Sequence, residues 1–396
     1  MLSLKRVDPL DWFAGALLLC GLICVATGLL PIRTAEEATR RIVPLLVFLA
    51  AVIVLAELVG RAEVFDLVAG GIARTGRGSY GRLFVLCVLF ASVTATVLNL
   101  DTTAVLLTPV MLAMAKRVGI AAVPLAMTTV WLANTASLLL PVSNLTNLLA
   151  ADRVGLSAGG MAARMWAPQI AALTATTVCL WVFYWRRGRR GADAYVPPTT
   201  FRPADPVLFW TSATTCVAFL AAILLTPVPL WADALAAMSV VSVMFAVKRP
   251  GELTVVLVPW RLLAMVPGMF LVLETIDAHG MHRVLTWAVG AGGGAAALMR
   301  TAAAGAALSN ALNNLPVYLA GEAAVPVNQH DQLLALLVGT NVGPLVSPWA
   351  SLATLLWFER CRGQGVRIPL PRFIATGLVL AVTGTAAACG ALILTG

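Results

Sequence analysis

The chain has 396 residues, of which 60% are apolar and 11% are charged, and its formal net charge is +9. A soluble domain carries roughly 25% charged residues, so this composition excludes a protein that is covered by water on all sides. Apolar stretches of about 20 residues, the length that crosses a bilayer, recur along the whole chain. The sequence therefore predicts an all-α integral membrane protein with about nine full spans.

The full spans are predicted from apolar length and from the polar segments between them, at 12–30, 42–59, 121–149, 166–185, 206–226, 229–247, 254–275, 331–357 and 373–395. Two further apolar regions, 82–116 and 293–320, are interrupted near their middle by polar residues: Asn99, Asp101, Thr102 and Thr103 in the first, and Ser309, Asn310, Asn313 and Asn314 in the second. Each is predicted to be a re-entrant hairpin whose tip lies at membrane depth, which requires that protein or a water-filled cavity satisfies the backbone.

The basic residues lie in short segments between the apolar stretches, which is the pattern of membrane topology and not of a nucleic-acid surface. A cytoplasmic N-terminus places nineteen of the 27 Lys and Arg residues inside and seven outside, with Arg261 unassigned. Because positive residues concentrate on the cytoplasmic side, we predict a multi-pass protein of the cell (inner) membrane with its N-terminus in the cytoplasm. Arg82 and Lys116 fall on the same side, as a hairpin at 82–116 requires.

The basic, proline-rich stretch 186–205 is the one obvious linker, predicted to be cytoplasmic. It separates a first half, 1–185, from a second half, 206–396. Each half contains one predicted hairpin followed by one apolar segment with an internal proline. The sequence thus predicts two structural repeats joined by a linker.

The two proline-containing segments resemble one another. ANTASLLLPVSNLTNL occupies 133–148 and TNVGPLVSPWASLATLL occupies 340–356, with the same seven-residue spacing from Asn134 to Pro141 and from Asn341 to Pro348. Under the predicted topology the two segments cross the membrane in opposite directions. Similar segments of opposite orientation indicate inverted-topology repeats, whose paired interruptions point to a substrate site.

Proline removes a backbone donor and clashes with the preceding turn, so Pro141 and Pro348 predict two broken helices with freed peptide groups. The neighbouring side chains are hydroxyls and carboxamides, which suit a small polar or anionic solute or a coupling cation. The candidate binding residues are Asn99, Asp101, Thr102, Thr103, Asn134, Ser143, Asn144, Asn147, Asn310, Asn313, Asn314, Asn341, Ser347, Ser351 and Thr354. The alternative is that the prolines kink the helices and the polar residues only hold neighbouring helices together.

Asp101 is the sharpest single candidate, because a carboxylate within an apolar region is costly and is a functional hypothesis by default. We predict that it carries the coupling proton. The alternative is a structural aspartate held by local amide donors.

The chain offers no catalytic or metal-binding pattern. Its seven cysteines form no CxxC, its three histidines form no metal motif, and neither HExxH nor GxSxG occurs. We therefore expect no enzyme activity, no metal and no cofactor.

At these residues the chain resembles the arsenite permease branch of the ion transporter superfamily, most strongly in LDTTAVLLTP (100–109), ALNNLPVYL (311–319) and GPLVSPWASLATLLWFE (343–359). The resemblance implies a scaffold domain, a transport domain and elevator-type alternating access. By motif match it implies functional roles for Asp101, for Asn313 and Asn314, and for Asn341 and Ser351. The chain departs from the family in lacking the usual Asn-Asp-Gly of the first hairpin. It also carries Asn341 and Leu345 where arsenite permeases tend to have Asp and Lys.

The expected function is proton-coupled export of arsenite or antimonite, since an uncharged trihydroxide can be bound by hydroxyl and amide groups alone. Transport of another anion on the same fold (a dicarboxylate, sulfate or another oxyanion), coupled to sodium, is the alternative. The expected partners are a small inorganic solute, a coupling proton or sodium ion, and membrane lipid, with no nucleic acid. A homodimer and a soluble ATPase partner stay open.

Overall fold

The computed structural model describes residues 9–186, 195–197, 202–225, 228–254, 257–290 and 294–395. Every regular element within these residues is helical. Most of the predicted linker 186–205 lies outside the described residues, as do Lys5 and Arg6 of the predicted cytoplasmic N-terminus.

Seventeen α-helices follow one another along the described chain. They are α1 Pro9–Ala26, α2 Ile32–Arg61, α3 Val64–Thr75, α4 Tyr80–Val97, α5 Leu100–Val118, α6 Ala122–Thr135, α7 Leu145–Val154, α8 Ala158–Leu180, α9 Pro206–Leu225, α10 Leu230–Lys248, α11 Trp260–Ile276, α12 His282–Val289, α13 Ala295–Ala311, α14 Asn314–Ala324, α15 His330–Val342, α16 Leu352–Gly363 and α17 Leu370–Thr395.

Seven of the described helices are long and apolar enough to cross a membrane, judged by length and composition: Ile32–Arg61, Tyr80–Val97, Ala158–Trp185, Pro206–Ile223, Leu230–Lys248, Trp260–Gly280 and Leu370–Thr395. The chain is therefore a multi-pass membrane protein. One of the seven, Tyr80–Val97, is the first arm of the predicted hairpin 82–116. The number of full spans and the re-entrant path of the hairpins stay predictions.

The described chain forms two compact units, and both sequence halves contribute to each. The first unit comprises Met1–Ala62 and Asp205–Met281, and it contains α1, α2, α9, α10 and α11. Within it α1 and α11 cross closely at Gly21 and Gly268, where a side-chain carbon on Gly268 would fall on the backbone of Leu18. Small residues at helix crossings allow such approach in membrane proteins.

The second unit comprises Glu63–Ala204 and His282–Gly396, and it holds both predicted hairpins and both predicted broken helices. Helix α8 packs against α17, α5 packs against α6 and α16, and α13 packs against α15. Helix α15 is buried on all sides from Gln332 to Val342, as expected for a helix at the centre of a bundle. The compact units are thus interleaved along the chain, while the division into halves 1–185 and 206–396 stays a prediction about the repeat.

The α13–α15 crossing brings two backbones into direct contact. Gly339 on α15 and Gly343, which directly follows α15, lie one turn apart, and a side-chain carbon there would meet the backbone of Ala302 and the side chain of Ala306 on α13. This pairing of small residues at four-residue spacing is a common transmembrane packing mode. This crossing fixes the position of Asn341 along α13, because Asn341 lies between the two glycines in the sequence.

The four predicted interruptions are present. Helices α4 and α5 are separated by Leu98 and Asn99, and α13 and α14 by Leu312 and Asn313. We call these segments tip 1 and tip 2. Between α6 and α7 the chain leaves the helix over 136–144, and between α15 and α16 over 343–351; these are break 1 and break 2.

The position of the prolines differs from the prediction that they end the helices. Helix α6 ends at Thr135, well before Pro141, which instead opens a short 3₁₀ turn, Pro141–Ser143. Likewise α15 ends at Val342, ahead of Pro348. Leu140, directly before Pro141, is extended (φ −118°, ψ 148°), because a residue that precedes proline disfavours the helical region. The prolines therefore shape the breaks after the helices have ended.

Candidate functional site

Four helices begin at the tips and breaks, and each has a side-chain cap. The cap oxygen accepts a hydrogen bond from a backbone N–H two or three residues further on: Asn99 from Thr102 (2.7 Å), Asn144 from Thr146 (3.2 Å), Asn313 from Leu315 (3.3 Å) and Ser351 from Thr354 (3.2 Å). Helix N-termini carry partial positive charge. The N-terminal ends of α5, α7, α14 and α16 therefore attract electron-rich oxygen atoms to the tips and breaks.

The two broken helices meet through buried side chains that we call the carboxamide junction: Thr146, Asn147 and Asn341. The Asn341 Nδ2 donates to Asn147 Oδ1 at 2.7 Å, and the Thr146 hydroxyl donates to Asn341 Oδ1 at 2.8 Å. All three residues are at most 1% exposed. The similar segments of the two sequence halves are thus in direct contact.

Asn147 also satisfies the backbone of break 1. Its Nδ2 donates to the carbonyls of Ser137 (2.6 Å) and Leu140 (2.9 Å). Carbonyls freed by the end of α6 would otherwise be unpaired in a buried place, at a cost of about 1–3 kcal/mol each. One carboxamide therefore both closes break 1 and joins it to α15.

Gln169 on α8, which is not among the residues predicted from the sequence, closes the other side of break 1. Its Oε1 accepts from Leu138 N at 2.8 Å, and its Nε2 donates to Thr135 O at 3.1 Å. The residue is 3% exposed. A lone glutamine in the apolar stretch 166–185 was the available signal, because a polar side chain in a membrane helix is costly unless it has a partner.

Asn310 on α13 closes break 2 with both ends of its carboxamide. Its Nδ2 donates to Gly343 O at 2.8 Å, and its Oδ1 accepts from the backbone N–H groups of Val346 (2.8 Å) and Ser347 (3.2 Å). The Ser347 hydroxyl returns a bond to Asn310 O at 2.7 Å. Break 2 is therefore held by the end of the hairpin arm that leads into tip 2.

Tip 2 is tied to the far end of break 2 as well. The Asn313 Nδ2 donates to Trp349 O at 2.8 Å, and the Asn314 backbone N–H donates to Ala350 O at 2.8 Å. The Trp349 indole N–H donates to Ala311 O at 3.2 Å. Tip 2 and break 2 form one hydrogen-bonded assembly.

The last turn of α4, directly before tip 1, is joined to break 1 by fewer bonds. The Ser143 hydroxyl donates to Thr96 O at 2.5 Å, and the Thr96 hydroxyl donates to Ala136 O at 3.0 Å. Each hairpin therefore contacts the broken helix that follows it in the sequence.

Several buried polar atoms at the tips and breaks have no hydrogen-bond partner within the described part of the chain. They are Asp101 Oδ1, Thr102 Oγ1, Thr103 Oγ1, Asn134 Oδ1, Asn144 Nδ2 and Ser309 Oγ. An unpaired buried polar group is costly and calls for an explanation. All but Ser309 belong to the first sequence half, in the first turn of α5, the last turn of α6 and the cap of α7. Unsatisfied donors and acceptors of this kind are the groups that a polar solute would satisfy.

Only some of the predicted site residues are hydrogen-bonded to one another. Direct bonds join Asn147 to Asn341, Asn310 to Ser347 and Ser351 to Thr354 (hydroxyl oxygens 2.9 Å apart). Asn99, Asn144 and Asn313 act as caps, and Ser143 binds the backbone of Thr96 in the last turn of α4. Asp101, Thr102, Thr103 and Asn134 lie on α5 and α6, which pack together. Their role in binding a solute stays a prediction.

Replacing Gln169 by leucine tests the closure of break 1. The variant is expected to lose about 2–6 kcal/mol of stability, because Leu138 N–H and Thr135 C=O each lose a buried partner. Thermal unfolding in detergent measures the change. Gln332→Leu is not a suitable control, because the Gln332 side-chain amide also donates to a backbone carbonyl, that of Gly290. Thr174→Val is suitable, because the exposed Thr174 hydroxyl bonds only Ile170 O on its own helix. Equal unfolding of Gln169→Leu and wild type would contradict the role.

The chain combines apolar helices with two helix interruptions that meet in an uncharged polar junction, and each hairpin is bonded to one of these interruptions. This combination characterises a secondary transporter. The chain belongs to the citrate transporter family, whose model, described as "CitMHS: Citrate transporter", matches residues 9–354.

Curated relatives of the chain are named for arsenical pumps. The arsenical pump membrane protein of Escherichia coli (strain K12) is 28% identical over 348 residues, which cover 83% of this chain and 81% of the relative. A second Escherichia coli protein of the same name is 30% identical over 356 residues, with the same coverage. The putative arsenical pump membrane protein of Bacillus subtilis (strain 168) is 22% identical over 415 residues, covering 96% and 92%.

Among solved structures, the Alcanivorax borkumensis YdaH transporter matches with a TM-score of 0.44 and 15% identity, over 97% of both chains.

Proposed function

We propose that the chain exports arsenite or antimonite across the cell (inner) membrane, with its N-terminus in the cytoplasm, by proton-coupled alternating access of the elevator type. Relatives named arsenical pump membrane proteins support the solute. The observation that carries the proposal is a set of buried, unpaired polar atoms: uncharged ones on Thr102, Thr103, Asn134 and Asn144, and a carboxylate oxygen of Asp101, which directly precedes Thr102 in the sequence.

The chemistry of this set suits an uncharged trihydroxide. Such a solute has three donors and several acceptors and carries no charge that the protein must neutralise. Hydroxyls and carboxamides can donate and accept in turn, so each contact can be made without burying an ion. Neither 134–147 nor 340–354 contains Lys or Arg, which is the composition expected for a neutral solute.

Asp101 lies in the first turn of α5, directly after the capped tip 1. In this proposal it holds one proton in one access state and releases it in the other, while the neighbouring hydroxyls hold the solute. Export is then driven by proton entry, because Asp101 moves inward protonated and without solute, releases its proton to the cytoplasm, and moves outward as a carboxylate while the solute is bound.

Asp101→Asn is expected to abolish proton-driven arsenite transport and to leave the protein folded, because asparagine has nearly the same shape but does not titrate. Everted vesicles with labelled arsenite and an imposed pH gradient measure it. The control is Asp66→Asn, which removes a carboxylate that binds Arg117 at 2.7 Å on another helix. Proton-driven transport that survives Asp101→Asn would refute the assignment.

Transport of a carboxylate or another anion, such as citrate, sulfate or a different oxyanion, with sodium in place of the proton, is the second candidate. The family description favours it, as do the four helix N-termini at the tips and breaks, since their partial positive charge attracts anions. The same vesicles separate the candidates when arsenite, citrate and sulfate are supplied in turn, each with a proton or a sodium gradient. Uptake of citrate alone, driven by sodium, would replace the first proposal by the second.

A further inference from the structure

The backbone carbonyls at the end of α6 are paired by neighbouring side chains. Asn134 O accepts from the Ser137 hydroxyl at 2.9 Å, and Thr135 O accepts from the Gln169 amide at 3.1 Å. The Thr96 hydroxyl donates to the next carbonyl along the chain at 3.0 Å. These acceptors are therefore satisfied from within the protein, as buried backbone groups usually are.

The side chain of Asn134 differs from this backbone, because one of its polar atoms is left over. The residue is 1% exposed, its Nδ2 donates to Val130 O at 2.9 Å, and its Oδ1 has no hydrogen-bond partner among the residues that the structure describes. A carbonyl only accepts hydrogen bonds, so the NH₂ end must face Val130 and the oxygen must face away from it. Asn134 thus presents an unpaired acceptor in a fixed orientation.

The electrostatic surroundings of this oxygen favour a donor and disfavour an anion. Asn134 lies in the last turn of α6, and the C-terminal end of a helix carries partial negative charge. No Lys or Arg occurs between residues 118 and 152. Helix α5, which packs against α6, has Asp101 in its first turn and its basic residues, Lys116 and Arg117, at its other end. A group that only accepts hydrogen bonds would meet like charge here, whereas a hydroxyl group would be attracted.

We propose that Asn134 is the residue that makes the site select uncharged, hydroxyl-bearing solutes over anions, because its Oδ1 accepts a hydrogen bond from a hydroxyl group of the solute. The inference rests on the proposed export of arsenite, and it adds the property of the solute that is recognised. That property is the O–H group and not the arsenic atom. Boric acid, another small uncharged trihydroxide, is therefore expected to compete with arsenite, and sulfate, which has no hydrogen to donate, is not.

A binding role and a structural role of Asn134 predict different stabilities. Replacing Asn134 by alanine deletes no partner of Oδ1, since it has none, and Val130 O keeps the backbone hydrogen bond of the helix. Alanine also favours the helix, and the variant no longer buries an unpaired acceptor, which is itself costly. Asn134→Ala is therefore expected to unfold at the wild-type temperature, in contrast to Gln169→Leu.

The test titrates purified protein in detergent with arsenite in a calorimeter and records thermal unfolding of the same samples. Asn134→Ala is expected to bind arsenite about tenfold more weakly, the upper range for one lost hydrogen bond. Asn134→Asp is expected to bind more tightly than Asn134→Ala, because a protonated carboxyl group can donate to Val130 O with one oxygen and accept from the solute with the other. Repeating the wild-type titration in boric acid, and then in sulfate, is expected to weaken arsenite binding only in boric acid.

The matched control is Thr129→Val on the same helix, whose buried hydroxyl bonds only Leu125 O, at 3.3 Å; it is expected to bind arsenite as the wild type does. The proposal is overturned if Asn134→Ala also binds as the wild type does, or if sulfate competes and boric acid does not. A loss of stability in Asn134→Ala as large as that of Gln169→Leu would show that Asn134 holds the fold instead. Wild-type protein that binds no arsenite overturns the proposed function itself, whatever the variants do.

Discussion

Asn341→Leu is expected to abolish transport and to lower the free energy of unfolding by about 2–6 kcal/mol. Leucine has the same branched outline as asparagine, with bulkier methyl groups in place of the amide atoms, but neither donates nor accepts, so the Thr146 hydroxyl and Asn147 Oδ1 both lose their partner at Asn341. Each unsatisfied buried group costs about 1–3 kcal/mol. The loss also frees α7 from α15, and transport requires the two broken helices to keep a common geometry.

Thermal unfolding in detergent and arsenite transport in vesicles measure the two effects of Asn341→Leu. The control is Thr340→Val, the neighbouring residue on α15, whose buried hydroxyl bonds only carbonyls of its own helix, Leu336 and Leu337. It is expected to stay within about 1 kcal/mol of wild type. A double-mutant cycle with Asn147→Leu is expected to show coupling of 0.5 kcal/mol or more, roughly the range for residues in contact. Additive effects would show that Asn341 and Asn147 do not stabilise one another.

Gly339→Leu is expected to prevent α13 and α15 from packing, with a stability loss above about 3 kcal/mol. Any side-chain carbon at this position meets backbone atoms of Ala302, which cannot turn aside as a flexible side chain would. The helices must separate, and Asn341 then moves away from α7. The loss of a folded, monodisperse protein in size-exclusion chromatography is the expected readout.

The control for Gly339→Leu is Gly390→Leu. Gly390 lies within α17 and has open space where a side chain would begin, so the same substitution there costs no overlap. The variant is expected to elute with the wild type. If Gly339→Leu elutes and unfolds as Gly390→Leu does, the close crossing of α13 and α15 is wrong.

The interruptions of the apolar segments could be predicted from the sequence because their signal is local. Asn99 and Asp101 in one apolar stretch, and Asn310 and Asn313 in the other, are incompatible with a smooth span, and the structure ends helices at both places. The similar spacing around Asn134 and Asn341 likewise indicated two equivalent segments. Their direct contact through Asn147 follows the expectation that paired interruptions lie together.

Partners that lie far apart in the sequence could not be predicted. Gln169 is visible as a polar residue in an apolar stretch, but nothing local shows that it bonds Thr135 and Leu138. The crossing at Gly339 depends equally on Ala302 of another helix. The predicted ends of the two broken helices were also wrong. A proline restricts the backbone of the residue before it, but a helix can end several residues earlier, as α6 and α15 do. Helix α6 ends at Thr135, and the Gln169 side chain forms hydrogen bonds with the backbone that this end leaves unpaired, at Thr135 O and Leu138 N.

The carboxamide junction has a consequence for how transport can respond to acidity. Amides and hydroxyls neither gain nor lose protons in the pH range that cells experience. The carboxamide junction between α7 and α15 therefore keeps the same hydrogen bonds at acidic and at alkaline pH. Under the proposed proton coupling, any dependence of transport on pH arises from carboxyl groups outside the junction, such as Asp101. The junction itself holds the two broken helices together with groups that do not titrate.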